Sequence, residues 1–211
     1  MDTKQKFVIT INRELGSGGR TVGRLLAQKL SVRYYDKAVI EGLMQHFGIS
    51  EKVVEKEKAR PKSWWSSFCD LISSPPAILK EDFPDLLVTT DALFSVESDI
   101  LREIAGEESC VIAGRSAFFI LDDHPNKLSI FIKASMPHRL ERVMRKQGLS
   151  EEEAKKAIDE VDQRRENYTK RFSGKSRYDV DNYDLVLTMD ALSEEDAVEI
   201  ILDYIEKTST K

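Results

Sequence analysis

Phe7-Val8-Ile9-Thr10-Ile11 is a nearly continuous apolar run rich in β-branched residues. Such a run is a short strand covered on both faces, the habit of a parallel sheet. Gly16-Ser17-Gly18-Gly19 follows, and no regular element survives that much glycine. From Thr21 the spacing becomes helical, with Val22, Leu25, Leu26 and Leu30 on one stripe. The first unit is therefore strand, glycine loop, helix. The alternation returns along the chain. Cys110–Ala113 is a second buried strand, ending in Gly114-Arg115. Leu128–Ile132 is a third, followed by a helix that starts near Pro137 and carries Leu140, Val143 and Met144. Asp184–Thr188 is a fourth, followed by a last helix with Ala197, Val198, Ile201 and Ile205. Ser193, with Asp196 three residues on, reads as its cap. Val32–Tyr35 adds a short strand before Asp36. Strands alternating with helices in this way predict an α/β fold on a parallel sheet.

Two segments leave the alternation. Residues 60–85 hold four of the six prolines, Trp64 and Trp65, and several serines, which reads as an irregular insertion. Residues 151–177 change sign part-way. Glu151–Asp162 has six acids and two bases, whereas Arg164–Arg177 has Arg164, Arg165, Lys170, Arg171, Lys175 and Arg177 against Glu166 alone.

Composition narrows the class. A chain of 211 residues with 41% apolar and 33% charged residues is a globular domain of ordinary size. The net charge of −5 argues against a general nucleic-acid binder. It does not exclude an anionic substrate, because a site answers to local charge. No signal-peptide pattern and no apolar run of membrane-spanning length occurs. Cys69 and Cys110 form neither a disulfide framework nor a metal cluster, and His46, His124 and His138 are scattered. The expectation is a cytoplasmic protein with no membrane or nucleic-acid partner.

Chemistry concentrates in four places. A glycine loop between a strand and a helix is a natural phosphate cradle, because backbone N–H groups converge at the positive end of the helix. The stretch Glu14–Thr21 reads ELGSGGRT and approaches the GxxxxGK[ST] pattern in two registers, breaking it in both. With Arg20 in the lysine position, Gly19 and Thr21 match and Glu14 replaces the first glycine. One residue earlier, Gly18 matches and Gly19 stands where lysine belongs. A plain strand-to-helix turn is the competing reading. If phosphates bind, Gly16, Ser17, Gly18, Gly19, Arg20 and Thr21 would hold them, and the Thr21 hydroxyl would hold Mg²⁺ in the first register. The basic stretch is the second place. A lid bearing arginines would stabilise charge spread over a transferring phosphoryl group and exclude water; a solvated helix face is its alternative. Arg115, at the end of a buried strand, is the third, since open α/β sheets bind ligands there. Asp36 is the fourth, and it fits an acceptor contact or a helix cap equally well. Arg139, Arg142 and Arg145 read as a solvated face.

Taken together, ITINRELGSGGRTVGRLLAQKL, YYDKAVIEG, VIAGRSAFFIL, IFIKASMPHRLERVMRKQG and YDLVLTM resemble the cytidylate kinase-like family, a branch of the nucleoside monophosphate kinases. The resemblance implies a single P-loop kinase domain over residues 1–211 with a five-stranded parallel sheet flanked by helices. It further implies an insertion over about 37–108 that binds the nucleoside monophosphate and a lid over about 160–180. The implied reaction moves the γ-phosphoryl group of ATP to CMP or dCMP, with Mg²⁺. Arg20, Arg164, Arg165 and Arg171 would be the catalytic cations, and Asp36 and Arg115 would meet the acceptor. Ser116 stands where the family's Gly-Arg-Asp motif has aspartate. That departure supports an alternative, a kinase of another small phosphate acceptor. The missing P-loop lysine supports another, a nucleotide-binding pseudokinase or sensor. A monomer and a homodimer are both compatible with the sequence.

Overall fold

The computed structural model describes residues 1–40 and 91–209. The Pro-, Trp- and Ser-rich segment 60–85 lies outside the described residues, as does the middle of the expected acceptor insertion. By its internal contacts the chain divides into two units. One is Met1–Tyr34 with Leu101–Lys211, and the other is Tyr35–Ile100.

In chain order the described elements are β1 (Val8–Arg13), α1 (Gly19–Lys29), β2 (Arg33–Asp36), α2 (Asp91–Glu107), β3 (Cys110–Ala113) and α3 (Ala117–Ile120). They continue with β4 (Lys127–Lys133), α4 (Met136–Gln147), α5 (Glu151–Ser173), a 3₁₀ turn at Val180–Asn182, β5 (Leu185–Thr188) and α6 (Glu194–Ser209). The strands form one sheet in the order β2-β3-β1-β4-β5. β1 is central and runs parallel to both neighbours, with Val8 level with Cys110 of β3 and with Lys127 of β4. β5 continues the parallel pairing beyond β4.

The apolar run of β1 fills the middle of the molecule because both of its faces are covered. Val8, Ile9 and Ile11 are buried, and the buried Thr10 hydroxyl donates to Ser129 Oγ across the strands at 3.0 Å. Val22 and Leu26 of α1 pack with Ile130 and Ile132 of β4 and with Ala197, Val198, Ile201 and Ile205 of α6. A second, smaller cluster joins Val143 of α4 to Ala154 and Ile158 of α5, with Leu15 of the glycine loop against it.

The cap read at Ser193 forms, and serines cap two further helices. Ser135 accepts from the His138 N–H at the start of α4, next to Pro137. Ser150 and Glu153 form a reciprocal capping box on α5, and Ser193 and Asp196 exchange hydrogen bonds at α6. Each such cap stabilises its helix by about 1 kcal/mol. The 151–173 segment is one continuous helix in spite of its change of sign. Glu151, Glu152 and Glu153 occupy its first turn and Lys170 and Arg171 its last, the arrangement that the helix dipole favours. No helix among the described residues is long and apolar enough to cross a membrane.

Candidate phosphate site at the glycine loop

β1 ends at Arg13, and α1 opens at Gly19. The loop between them turns on Gly16 and Gly18, both at φ +85°. A β-carbon on Gly16 would lie 2.7 Å from the Arg139 carbonyl oxygen, so conformation and close approach both demand glycine there. Ser17 is fully buried and faces inward, its hydroxyl donating to the Glu14 carbonyl at 3.0 Å. Glu14 ties the loop to β4, where its carboxylate accepts from the Ala134 N–H at 3.1 Å. Whereas α4, α5 and α6 begin with serine caps, α1 begins on Gly18 with no side-chain cap and no acid in its first turn. The first turn of α1 thus has no side-chain cap of its own, and the Glu194 carboxylate lies near Gly18.

A guanidinium–carboxylate network braces this loop from outside. Asp162 of α5 accepts from the Leu15 N–H at 3.0 Å and pairs with Arg139. It also accepts from Arg165 at 3.3 Å and faces Arg177 Nη1 at 3.5 Å. Arg139 donates to the Leu15 carbonyl at 2.8 Å and lies 3.4 Å from the Glu14 carboxylate. The Arg13 carbonyl accepts from Arg165 at 3.1 Å and from Arg177. Arg177 is wholly buried; it also donates to Asn12 Oδ1 at 3.1 Å, and its backbone N–H donates to Glu166. Burial alone would push the Glu166 carboxyl up. Hydrogen bonds from Lys170, Ser176 and the Arg177 N–H outweigh it and hold the group below its ordinary value.

Along the other side of the loop, Arg142 donates to Thr21 Oγ1 at 3.1 Å and pairs with Glu194 at 2.5 Å. Burial and the nearby charges of Arg142, Arg145 and Arg20 push the Lys146 ammonium below its ordinary value. Positive charge is therefore dense along this edge. A magnesium ion takes oxygen ligands, commonly carboxylates with substrate phosphates and water. Here a guanidinium already holds the Thr21 hydroxyl, and the Glu194 carboxylate is engaged as that guanidinium's ion-pair partner. No group of three metal-ligating side chains occurs among the described residues. The expected Mg²⁺ role of Thr21 does not fit this arrangement.

The end of β3 has an unusual backbone. Gly114, Arg115 and Ser116 follow one another at φ +85°, +54° and +52°. Left-handed conformations cost the two side-chain-bearing residues roughly 1 kcal/mol or more each, and such strain gathers at functional sites. Ser116 is held by a 3.1 Å hydrogen bond to Thr169 of α5, and the Arg115 guanidinium stacks 5.2 Å from the Tyr168 ring centroid.

Residues 8–191 match the profile of the cytidylate kinase-like family. The chain belongs to that family. A cytidylate kinase of Methanopyrus kandleri is 27% identical over 203 residues, covering 92% of this chain and 90% of its own. A crystal structure of an uncharacterized protein from Eubacterium ventriosum is 25% identical, with a TM-score of 0.68 over 95% of this chain and 98% of that one. The shikimate kinase of Acinetobacter baumannii, solved with shikimate, shares the fold at 14% identity, with a TM-score of 0.53 over 99% of both chains. The fold is that of the P-loop kinases, and the chain is a phosphotransferase acting on a nucleotide or another small molecule.

Against that family, the expected site residues separate. Gly16 to Thr21 form the loop and the first turn of α1, with Arg20 exposed at its surface. Of the expected lid arginines, Arg165 reaches the loop, whereas Arg164 and Arg171 are exposed, Arg171 lying against Phe172. Asp36 is buried at the end of β2 and accepts from the Val39 N–H at 3.3 Å, a capping contact for the helical turn that follows. The solvated-face reading holds for Arg145 and fails for Arg139 and Arg142. Arg139 sits four residues before the buried Val143, hence on the same helix face. That spacing was the available signal for it. Asp162 likewise extends the buried stripe of Ala154 and Ile158 by one helical step.

Proposed function

We propose that the chain is a nucleoside monophosphate kinase that transfers the γ-phosphoryl group of ATP to CMP or dCMP. The observation that carries this reading is the uncapped glycine loop at the start of α1, enclosed by Arg139, Arg165 and Arg177 around Asp162. Backbone N–H groups of residues 16–21 would hold the donor phosphates. Arg20 and Arg165 would offset the charge that spreads over the equatorial oxygens in the transition state. Arg164 and Arg171 would join them from the basic half of α5, the segment expected to act as a lid. Arg115, on its strained turn, would meet the acceptor, and Asp36 would contact the acceptor nucleoside. Catalysis is then positioning plus electrostatic stabilisation, with no covalent intermediate. Mg²⁺ accompanying the nucleotide would lower the charge of the phosphate chain.

The test is a panel of nucleoside monophosphates incubated with ATP and Mg²⁺, read as kcat/KM. CMP or dCMP should exceed the other acceptors by roughly tenfold or more, the discrimination that one or two specific polar contacts provide. A second reading, a kinase of a different small phosphate acceptor, is favoured by Ser116. The family's aspartate is absent there, and the hydroxyl is engaged with Thr169. Phosphorylation of none of the panel, with ATP still bound, would favour that reading, because fold does not fix substrate.

A further inference from the structure

We propose that Arg13 is the phosphate-binding cation of the glycine loop, performing from the end of β1 the task of the lysine in the GxxxxGK[ST] pattern. The proposal rests on the loop holding the donor phosphates, as argued above. Of the two registers, the backbone selects one. The glycine that turns the chain into the helix is Gly18, at φ +85°, and Gly19 is already helical. Gly19 therefore takes the lysine position and Arg13 the position of the first glycine. The usual order of a small residue before the loop and a cation after it is reversed.

The two replacements are coupled in space. A β-carbon on Gly19 would lie 2.7 Å from Arg13 Cβ and 3.2 Å from its Cγ, with Ile132 Cβ at 3.3 Å. The stem of Arg13 occupies the room in which a side chain at 19 would start. Its guanidinium continues to the end of β3, where a β-carbon on Gly114 would overlap Nη1 and lie 3.3 Å from Cζ. Both glycines form a berth for this one side chain. The backbone of Arg13 is fixed independently. Its N–H donates to Asn12 Oδ1 at 3.0 Å, and its carbonyl accepts from Arg165 and Arg177. The direction of the side chain is thus set by the scaffold. Its charged end lies at the carboxyl edge of the sheet between β1 and β3, the region where open parallel sheets bind ligands. A guanidinium there presents a planar fork whose parallel N–H groups can pair with two phosphoryl oxygens in a fixed geometry, which the point charge of an ammonium does not impose.

The experiment compares ATP with adenosine by calorimetry on the full chain, so that the phosphate contribution is read separately from that of the base. The wild-type protein should bind ATP far more tightly than adenosine. Equal affinities would overturn the loop reading and this proposal with it. Arg13→Gln should weaken ATP by at least about tenfold, the worth of one charge-assisted contact, and leave adenosine unchanged. Arg13→Lys should lose less. The variant Arg13→Gly with Gly19→Lys should regain ATP affinity over Arg13→Gly alone. If Arg13→Gln keeps the wild-type preference for ATP, the proposal is wrong while the loop reading stands. Should Arg13→Gln fail to fold, Gly19→Ala serves instead. It keeps every charge, crowds the stem and should weaken ATP selectively; unchanged ATP affinity would again overturn the proposal.

Discussion

Asp162 is one carboxylate among three guanidinium groups, those of Arg139, Arg165 and Arg177. It offsets one of the three charges, and the Glu14 carboxylate, 3.4 Å from Arg139, offsets another. Replacing it by asparagine keeps the shape and removes the counter-charge. Because Arg139 and Arg177 are buried, Asp162→Asn should cost about 3–5 kcal/mol in urea unfolding, the penalty for stripping a buried charge of its partner. A loss well below 1 kcal/mol would mean that the cations find other partners. This hub was hard to see in the chain. Asp162 closes an acidic run, and Arg139 falls beside an apolar stripe, so each looks like ordinary surface until burial is known. The glycines were easier, since a turn that needs positive φ announces itself by residue type.

At the scale of elements, β3 was legible to the residue, and the other strands and the starts of α1, α4 and α6 to within two residues, because buried strands and helix starts carry local signals. The basic stretch was not. Its charge count predicts a common role for bases that the helix separates. Arg164 and Arg171 project outward, Arg165 points at the loop, and Arg177 lies beyond the helix in the interior. The link between α5 and Arg177 is Glu166, which accepts from Ser176 Oγ at 2.8 Å and from the Arg177 N–H at 3.0 Å. Its folded pKa is below the ordinary 4.5. A depressed carboxylate contributes stability that is full above the unfolded value and is lost as pH falls through the folded one. The stability difference between wild type and Glu166→Gln should therefore be largest near neutrality and shrink on acidification below 4.5. A difference that does not change with pH would show that the carboxylate charge contributes nothing to holding the turn.

At the scale of the whole molecule, alternation of buried strands and amphipathic helices specified the α/β class, whereas the order β2-β3-β1-β4-β5 depends on pairings between distant segments that no local pattern encodes. Cys110 offers a probe of the whole sheet. It is fully buried on β3, and burial pushes its thiol well above the ordinary range. Labelling of Cys110, followed by peptide mass mapping, should proceed only through global opening and should slow when ATP is added. Rapid labelling in native buffer would show that β3 opens locally.

The space shared by Arg13 and Gly19 bears on how such a loop can change over time. A large side chain fits at one of the two positions but not at both. A lineage moving between an arginine before the loop and a lysine after it cannot gain the second before losing the first. It must pass through a loop with a small residue at 13 and glycine at 19, which has neither cation. The two arrangements are thus separated by a valley of weakened phosphate binding, and each tends to persist once established.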